Sequence, residues 1–211
     1  MSEHARARAF EAWLENARGD GAPQRPEQQL LAEHHLMLAV LAAMDAEAQR
    51  LLQGGVLRPE FWRGVVEFIG NFSHRVHRVK EERFFFPALE AWGLAAPEVC
   101  RHIEDDHENL KELTWLLCEG VNEGDWEKVL RVVSMYLGRM RTHIANEERQ
   151  LLAPALAEVE AQQVRPIFEG FAALETEELG EQGRTDYFEL TCSVCRDVGL
   201  EPPSAPGKRS P

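Results

Sequence analysis

The stretch His77-Arg78-Val79-Lys80-Glu81-Glu82-Arg83, followed by FFFPALE at 84–90, returns 66 positions later (143 − 77). There it reads His143-Ile144-Ala145-Asn146-Glu147-Glu148-Arg149, followed by QLLAPALAE at 150–158. Residues four apart on a helix lie on one face, so His77 projects with Glu81 and His143 with Glu147. The proline after each motif slips by one position between the two copies (Pro87, Pro154). A weaker echo pairs Glu33-His34 with Asp106-His107. The chain therefore reads as two related helix pairs, each with one lone-His helix and one His-x-x-x-Glu helix.

Working outward, helical period dominates and no stretch alternates as a strand would. Pro26 fits the first turn of a helix, where its missing N–H is not needed. That helix is predicted from Pro26 to about Gln53, with Leu30, His34, Met37, Leu41 and Met44 on one inward face and Gly54-Gly55 as its stop. A second is predicted from Pro59 towards Trp92-Gly93, with Pro87 expected to kink it or end its regular part. A third runs from Pro97 to Gly124, and a fourth from an Asp125 N-cap to about Pro154. Four long helices with short connections predict an all-α fold, an up-down-up-down four-helix bundle. The expected organisation is an N-terminal extension with a short helix (1–25, helix at 3–17) and a metal-binding bundle (26–160). A C-terminal helix with a Cys192-x-x-Cys195 segment (161–200, helix at 163–182) and a disordered Pro/Ser-rich tail (201–211) complete it.

The 211 residues suit one domain with appendages. Acidic residues outnumber basic ones 36 to 23, for a formal net charge of −13. Such a surface repels phosphate backbones, which argues against nucleic-acid binding. No apolar run approaches the roughly 20 residues of a membrane span, and the N-terminus lacks a signal-type apolar stretch. A cytoplasmic location is expected. The four cysteines do not form a disulfide framework in that compartment.

The two His-x-x-x-Glu helices and the two lone-His helices together offer four imidazoles and two carboxylates. That mixture suits iron, manganese or zinc. A carboxylate has two oxygens and can bridge two ions, so the set suffices for a two-metal centre with open positions. His34 and His107 fall on apolar helical faces, and burying so many polar groups without partners would cost several kcal/mol. A shared cation removes that cost. A ferritin-like di-iron site needs two Glu-x-x-His motifs on separate helices, and only Glu104-x-x-His107 is present.

These motifs resemble the hemerythrin-like, or HHE cation-binding, domain family. The resemblance is carried by Glu33-His34, His77-x-x-x-Glu81-Glu82 with Phe86-Pro87, Asp106-His107, and His143-x-x-x-Glu147-Glu148 with Pro154. It covers roughly residues 26–158. It implies a non-haem centre of two iron ions, with zinc or manganese as substitutes. His34, His77, His107 and His143 become terminal ligands, Glu81 and Glu147 bridging carboxylates, and Glu82 and Glu148 outer residues. Hemerythrins proper carry a further histidine four residues from another on the third helix. Here Ile103 and Lys111 flank His107 at that spacing. His74, three residues before His77 and about 60° around an α-helix, is the candidate substitute. His35 is the alternative to His34, and His102 is read as peripheral.

The resemblance implies a protein that binds, senses or buffers O2, peroxide, NO or iron. Its partners would be a small diatomic ligand or peroxide, and a second copy of the chain in a homodimer. The alternative is a redox enzyme that reduces peroxide or repairs damaged iron centres. Repair-type relatives often carry a cysteine in an N-terminal segment, and no cysteine precedes Cys100 here. Cys192-x-x-Cys195 is read as two incidental thiols, a redox pair or half of a zinc site. Phe84, Phe85 and Phe86 are read as packing that can also dry the metal pocket.

Overall fold

The computed structural model describes residues 3–17, 25–180 and 183–203. Seven helical runs, labelled α1 to α7 in chain order, account for these residues, and no strand occurs among them. α1 is Glu3–Ala17, α2 is Pro26–Leu52 and α4 is Pro97–Glu123. α6 is Ala161–Leu179 and α7 is Gly183–Asp197. α3 (59–91) and α5 (126–158) are continuous runs interrupted by π-helical turns. The expected tail at 201–211 lies outside the described residues from 204 onward. A helix through Cys192 and Cys195 was not foreseen, so two helices rather than one follow the four long ones.

The ends of the long helices follow local chemistry. Proline opens α2, α3 and α4 in the first turn. Gly124 closes α4 at φ 70°, a left-handed conformation that glycine adopts without a Cβ penalty. Asp125 then caps α5, its side chain accepting from the Lys128 N–H at 2.9 Å. With only Gly124-Asp125 between them, α4 and α5 form a hairpin. α2 packs on α5, α3 packs on α4, and α1 and α7 lie against α2. The predicted inward face of α2 (Leu30, His34, Met37, Leu41, Met44) is buried throughout.

Pro87 neither ends nor sharply breaks α3. A π-helical turn at Glu81–Phe85 precedes it, and the Phe86 N–H bonds back five residues to the Glu81 carbonyl. α5 repeats the device at Glu148–Leu152, where the Ala153 N–H bonds to the Glu148 carbonyl. Each turn starts six positions before its proline, so the one-residue slip between the two copies is matched by the turn. The wider turn moves aside carbonyls that a proline ring would otherwise strike. A third π-helical stretch, Phe68–His77, leads into the first motif and has no counterpart in α5.

α6 packs against α2 and α3 through a close approach. A Cβ at Gly170 would sit 2.5 Å from Phe84 Cε1, so any larger residue there requires this ring to shift. Phe85 and Phe86 are fully buried, and Phe86 stacks parallel to the His107 imidazole with centroids 6.4 Å apart. No helix among the described residues is long and apolar enough to cross a membrane.

Candidate metal centre

Six side chains from four helices converge: His34 from α2, His77 and Glu81 from α3, His107 from α4, His143 and Glu147 from α5. All six are buried. Ligand atoms of His34, His77, Glu81 and Glu147 lie within 4.8 Å of one another. His107 joins through Glu81 (Nε2 to Oε2, 3.2 Å) and His143 through Glu147 (Nε2 to Oε2, 3.8 Å). The rings of His34 and His77 are 5.0 Å apart, and those of His107 and His143 4.7 Å.

The inward atoms are what make this a cation site. Nε2 of His34, His77 and His107 and both oxygens of Glu81 and Glu147 are buried without a hydrogen-bond partner among the described residues. His34 Nε2 is 3.2 Å from Glu147 Oε2 and His77 Nε2 is 2.8 Å from Glu81 Oε1, yet neither pair is aligned as a hydrogen bond. Unpaired buried polar atoms cost about 1–3 kcal/mol each. Seven in one place, with nitrogen and oxygen donors facing a common space, fit first-row metal ions and remove that cost when filled.

The outward atoms are held. His34 Nδ1 faces Glu148 Oε1 at 3.3 Å, His77 Nδ1 faces Glu33 Oε2 at 2.7 Å, and His107 Nδ1 faces Glu82 Oε1 at 2.8 Å. A carboxylate behind a ligating imidazole fixes its orientation and raises its basicity. Each carboxylate is in turn backed by a cation. Arg6 of α1 donates to Glu148 at 2.9 Å, Arg78 donates to Glu82 at 2.8 Å, and Lys80 pairs with Glu33. The second glutamate of each motif thus grips the lone histidine of a neighbouring helix, Glu82 on His107 and Glu148 on His34.

Among the contacts to the imidazole Nδ1 atoms, the pseudo-twofold pattern breaks at His143. Glu33 supports His77, and the echo would have Asp106 support His143. Asp106 is one methylene shorter and accepts instead from Arg139 at 2.9 Å, and His143 Nδ1 is buried without a hydrogen-bond partner among the described residues.

Charge within the cluster follows the same geometry. Burial opposes a charged imidazole, but Glu147 and Glu148 outweigh it and lift His34 to about 9. Against the same opposition, Glu81 and Glu33 lift His77 to about 10, and Glu81 and Glu82 lift His107 to about 9. His143 goes the other way, pushed well down by burial and by the nearby His107 charge. Burial raises carboxyls, yet His77 and His107 hold Glu81 well below the usual range. Glu147 rises to about 6 through burial and the negative charge of Glu81 beside it. The shifts of His34, His77 and His107 thus favour the charged imidazole beside the central carboxylates.

The remaining sequence candidates lie elsewhere. His74 does not reach the cluster; its Nε2 is 3.0 Å from Thr114 Oγ1. It sits on the π-helical stretch, whose smaller rotation per residue carries it further from His77 than the α-helical 60°. Burial and the nearby Arg78 push His74 down to about 4. His35 packs against Phe10 of α1, centroids 5.0 Å apart, and His102 is exposed. Sequence reasoning gave no role to Lys80, Glu175 or Arg6. Lys80 did carry a signal, lying three residues after His77 on its face; Glu175 and Arg6 carried none. Cys192 and Cys195 are buried in α7, where burial pushes both thiols up, Cys195 to about 11, the direction that disfavours the reactive thiolate.

No curated protein and no solved structure gives a significant match to the chain. The sequence profile of the hemerythrin HHE cation binding domain matches residues 25–156, which include all six converging side chains and the three carboxylates behind them. The chain therefore belongs to the hemerythrin HHE cation-binding domain family.

Proposed function

We propose that this protein carries a non-haem di-iron centre, held by His34, His77, Glu81, His107, His143 and Glu147, and binds, senses or buffers O2, peroxide, NO or iron. The observation that carries the reading is the set of unpaired inward nitrogens and oxygens backed by three imidazole–carboxylate pairs. Glu81 and Glu147, each with both oxygens unpaired and each beside two of the histidines, are the bridging carboxylates. The unit that holds the centre spans 26–160 as an up-down-up-down bundle, with α1, α6 and α7 packed on it. When bound, an iron pair supplies a redox couple and an open position for a small ligand. The chain's own part is to orient four imidazoles, to exclude water with Phe85 and Phe86, and to take up or release protons on the histidines.

The test is anaerobic iron loading followed by metal analysis and a visible spectrum. Two irons per chain, with the near-ultraviolet charge-transfer bands of a coupled ferric pair after air exposure, are expected. Glu81→Ala and Glu147→Ala should each abolish two-metal loading. Zinc alone, no metal, or two metals retained by both variants would overturn the assignment. Catalytic turnover of peroxide by the loaded protein would make it an enzyme rather than a sensor or buffer.

A further inference from the structure

We infer that Glu175, on a helix beyond the family-matched region, is a positioning residue for His77. The inference rests on the reading of His77 as a metal ligand. Lys80 is fully buried, at 0% exposure, and a buried ammonium must be paired. Its partners are Glu33 Oε1 and Glu175 Oε1. The Gln29 amide bridges the same two oxygens, at 3.2 Å from Glu33 and 2.7 Å from Glu175. Arg184 of α7 closes the series, its Nε donating to Glu175 Oε2 at 2.6 Å. The result is an alternating chain, His77–Glu33–Lys80–Glu175–Arg184, that runs from the centre to the two C-terminal helices. The Phe171 ring, 5.5 Å from the Lys80 nitrogen, covers it on the α6 side.

Glu33 divides its oxygens, Oε2 to His77 and Oε1 to Lys80. With Glu175 sharing the ammonium, Lys80 does not need both Glu33 oxygens. Without Glu175, one carboxylate must balance a buried cation, and the low dielectric makes that pull strong. Glu33 then turns towards Lys80 and releases His77 Nδ1, so the imidazole loses both its fixed orientation and part of its basicity. Among the described residues, no such chain reaches His143 Nδ1. The C-terminal helices thus hold His77, while α1 reaches His34 through Arg6 and Glu148.

The test uses the full-length protein with Glu175→Gln, which keeps the side-chain shape, and Glu175→Ala. Leu174→Ala, one residue away and buried, is the control for loosened α6 packing. Cobalt(II) is titrated with its visible bands as the readout. In the metal-free protein, the downfield Nδ1 proton of His77 reports its bond to Glu33. The expected result is a weakening of one of two cobalt ions by about tenfold to a hundredfold in Glu175→Gln, with altered bands and loss of the Nδ1 signal. Glu175→Asp should recover part of both, and Leu174→Ala should lower the melting temperature while leaving both as in wild type. Unchanged cobalt binding and an unchanged Nδ1 signal in Glu175→Gln, or the same losses in Leu174→Ala, would overturn the inference. If wild type takes up no cobalt, or His77→Ala binds it as wild type does, the metal-ligand reading fails and this inference fails with it.

Discussion

One methylene separates the two halves of the centre. Glu33 reaches His77, whereas Asp106 stops at Arg139, and His143 Nδ1 has no hydrogen-bond partner among the described residues. Asp106→Glu should let the longer carboxylate reach His143 and tighten metal binding, by up to about tenfold on the scale of such supporting contacts. Metal titration checks the affinity, and the His143 Nδ1 proton signal checks the contact. A carboxylate that stays with Arg139, with no gain in affinity, would show that reach is not what limits it. At this scale the sequence was informative about the inward residues. A histidine and a glutamate four apart share a face wherever the run is near-helical, so His77 with Glu81 and His143 with Glu147 were legible. His74 was misplaced because its position assumed α-helical rotation where the backbone is π-helical.

Among elements, the four long helices were legible because prolines open three of them and Gly124-Asp125 joins two. The π-helical turns were not, since they arise from a conflict between a proline ring and the preceding carbonyls, which hydrophobic period does not reveal. Nor did sequence show that α6 docks beside Lys80, because that contact joins residues 95 positions apart. Gly170 marks the docking in the structure, with Phe84 where a Cβ would stand. Gly170→Val should therefore destabilise the protein by about 1–3 kcal/mol through overpacking, despite the gain in helix propensity. Denaturant unfolding measures this. Stability equal to or above wild type would mean that the Phe84 ring yields freely and that the close approach is incidental.

For the molecule as a whole, the histidine charges make stability and metal binding respond to pH in opposite directions. His34, His77 and His107 lie at about 9 to 10 in the folded, metal-free protein, above the ordinary value of about 6.5. Raised values mean that the folded state holds protons more tightly than the unfolded one. Their contribution to stability is fully present below about pH 6.5 and is lost as pH rises through 9 to 10. His143 and His74, shifted down, act oppositely below about 6.5. Metal must displace the three protons, so its affinity should rise across the window in which the metal-free protein weakens. Melting temperature against pH, and calorimetry of metal binding in buffers of different ionisation enthalpy, measure the two effects. Affinity that stays flat from pH 6.5 to 9 would refute the proton inventory.

The paired prolines carry a further implication. Both π-helical turns begin at or after the last central carboxylate, at Glu81 in one motif and Glu148 in the other, and each is placed by its own proline. Residues downstream of the glutamates can therefore be gained or lost, as the one-residue offset between the copies records, while the histidine and carboxylate upstream keep their mutual angle. The turn works as an expansion joint. It insulates the cage from drift in the chain that follows it, and allows two unequal lengths of polypeptide to present nearly the same grip.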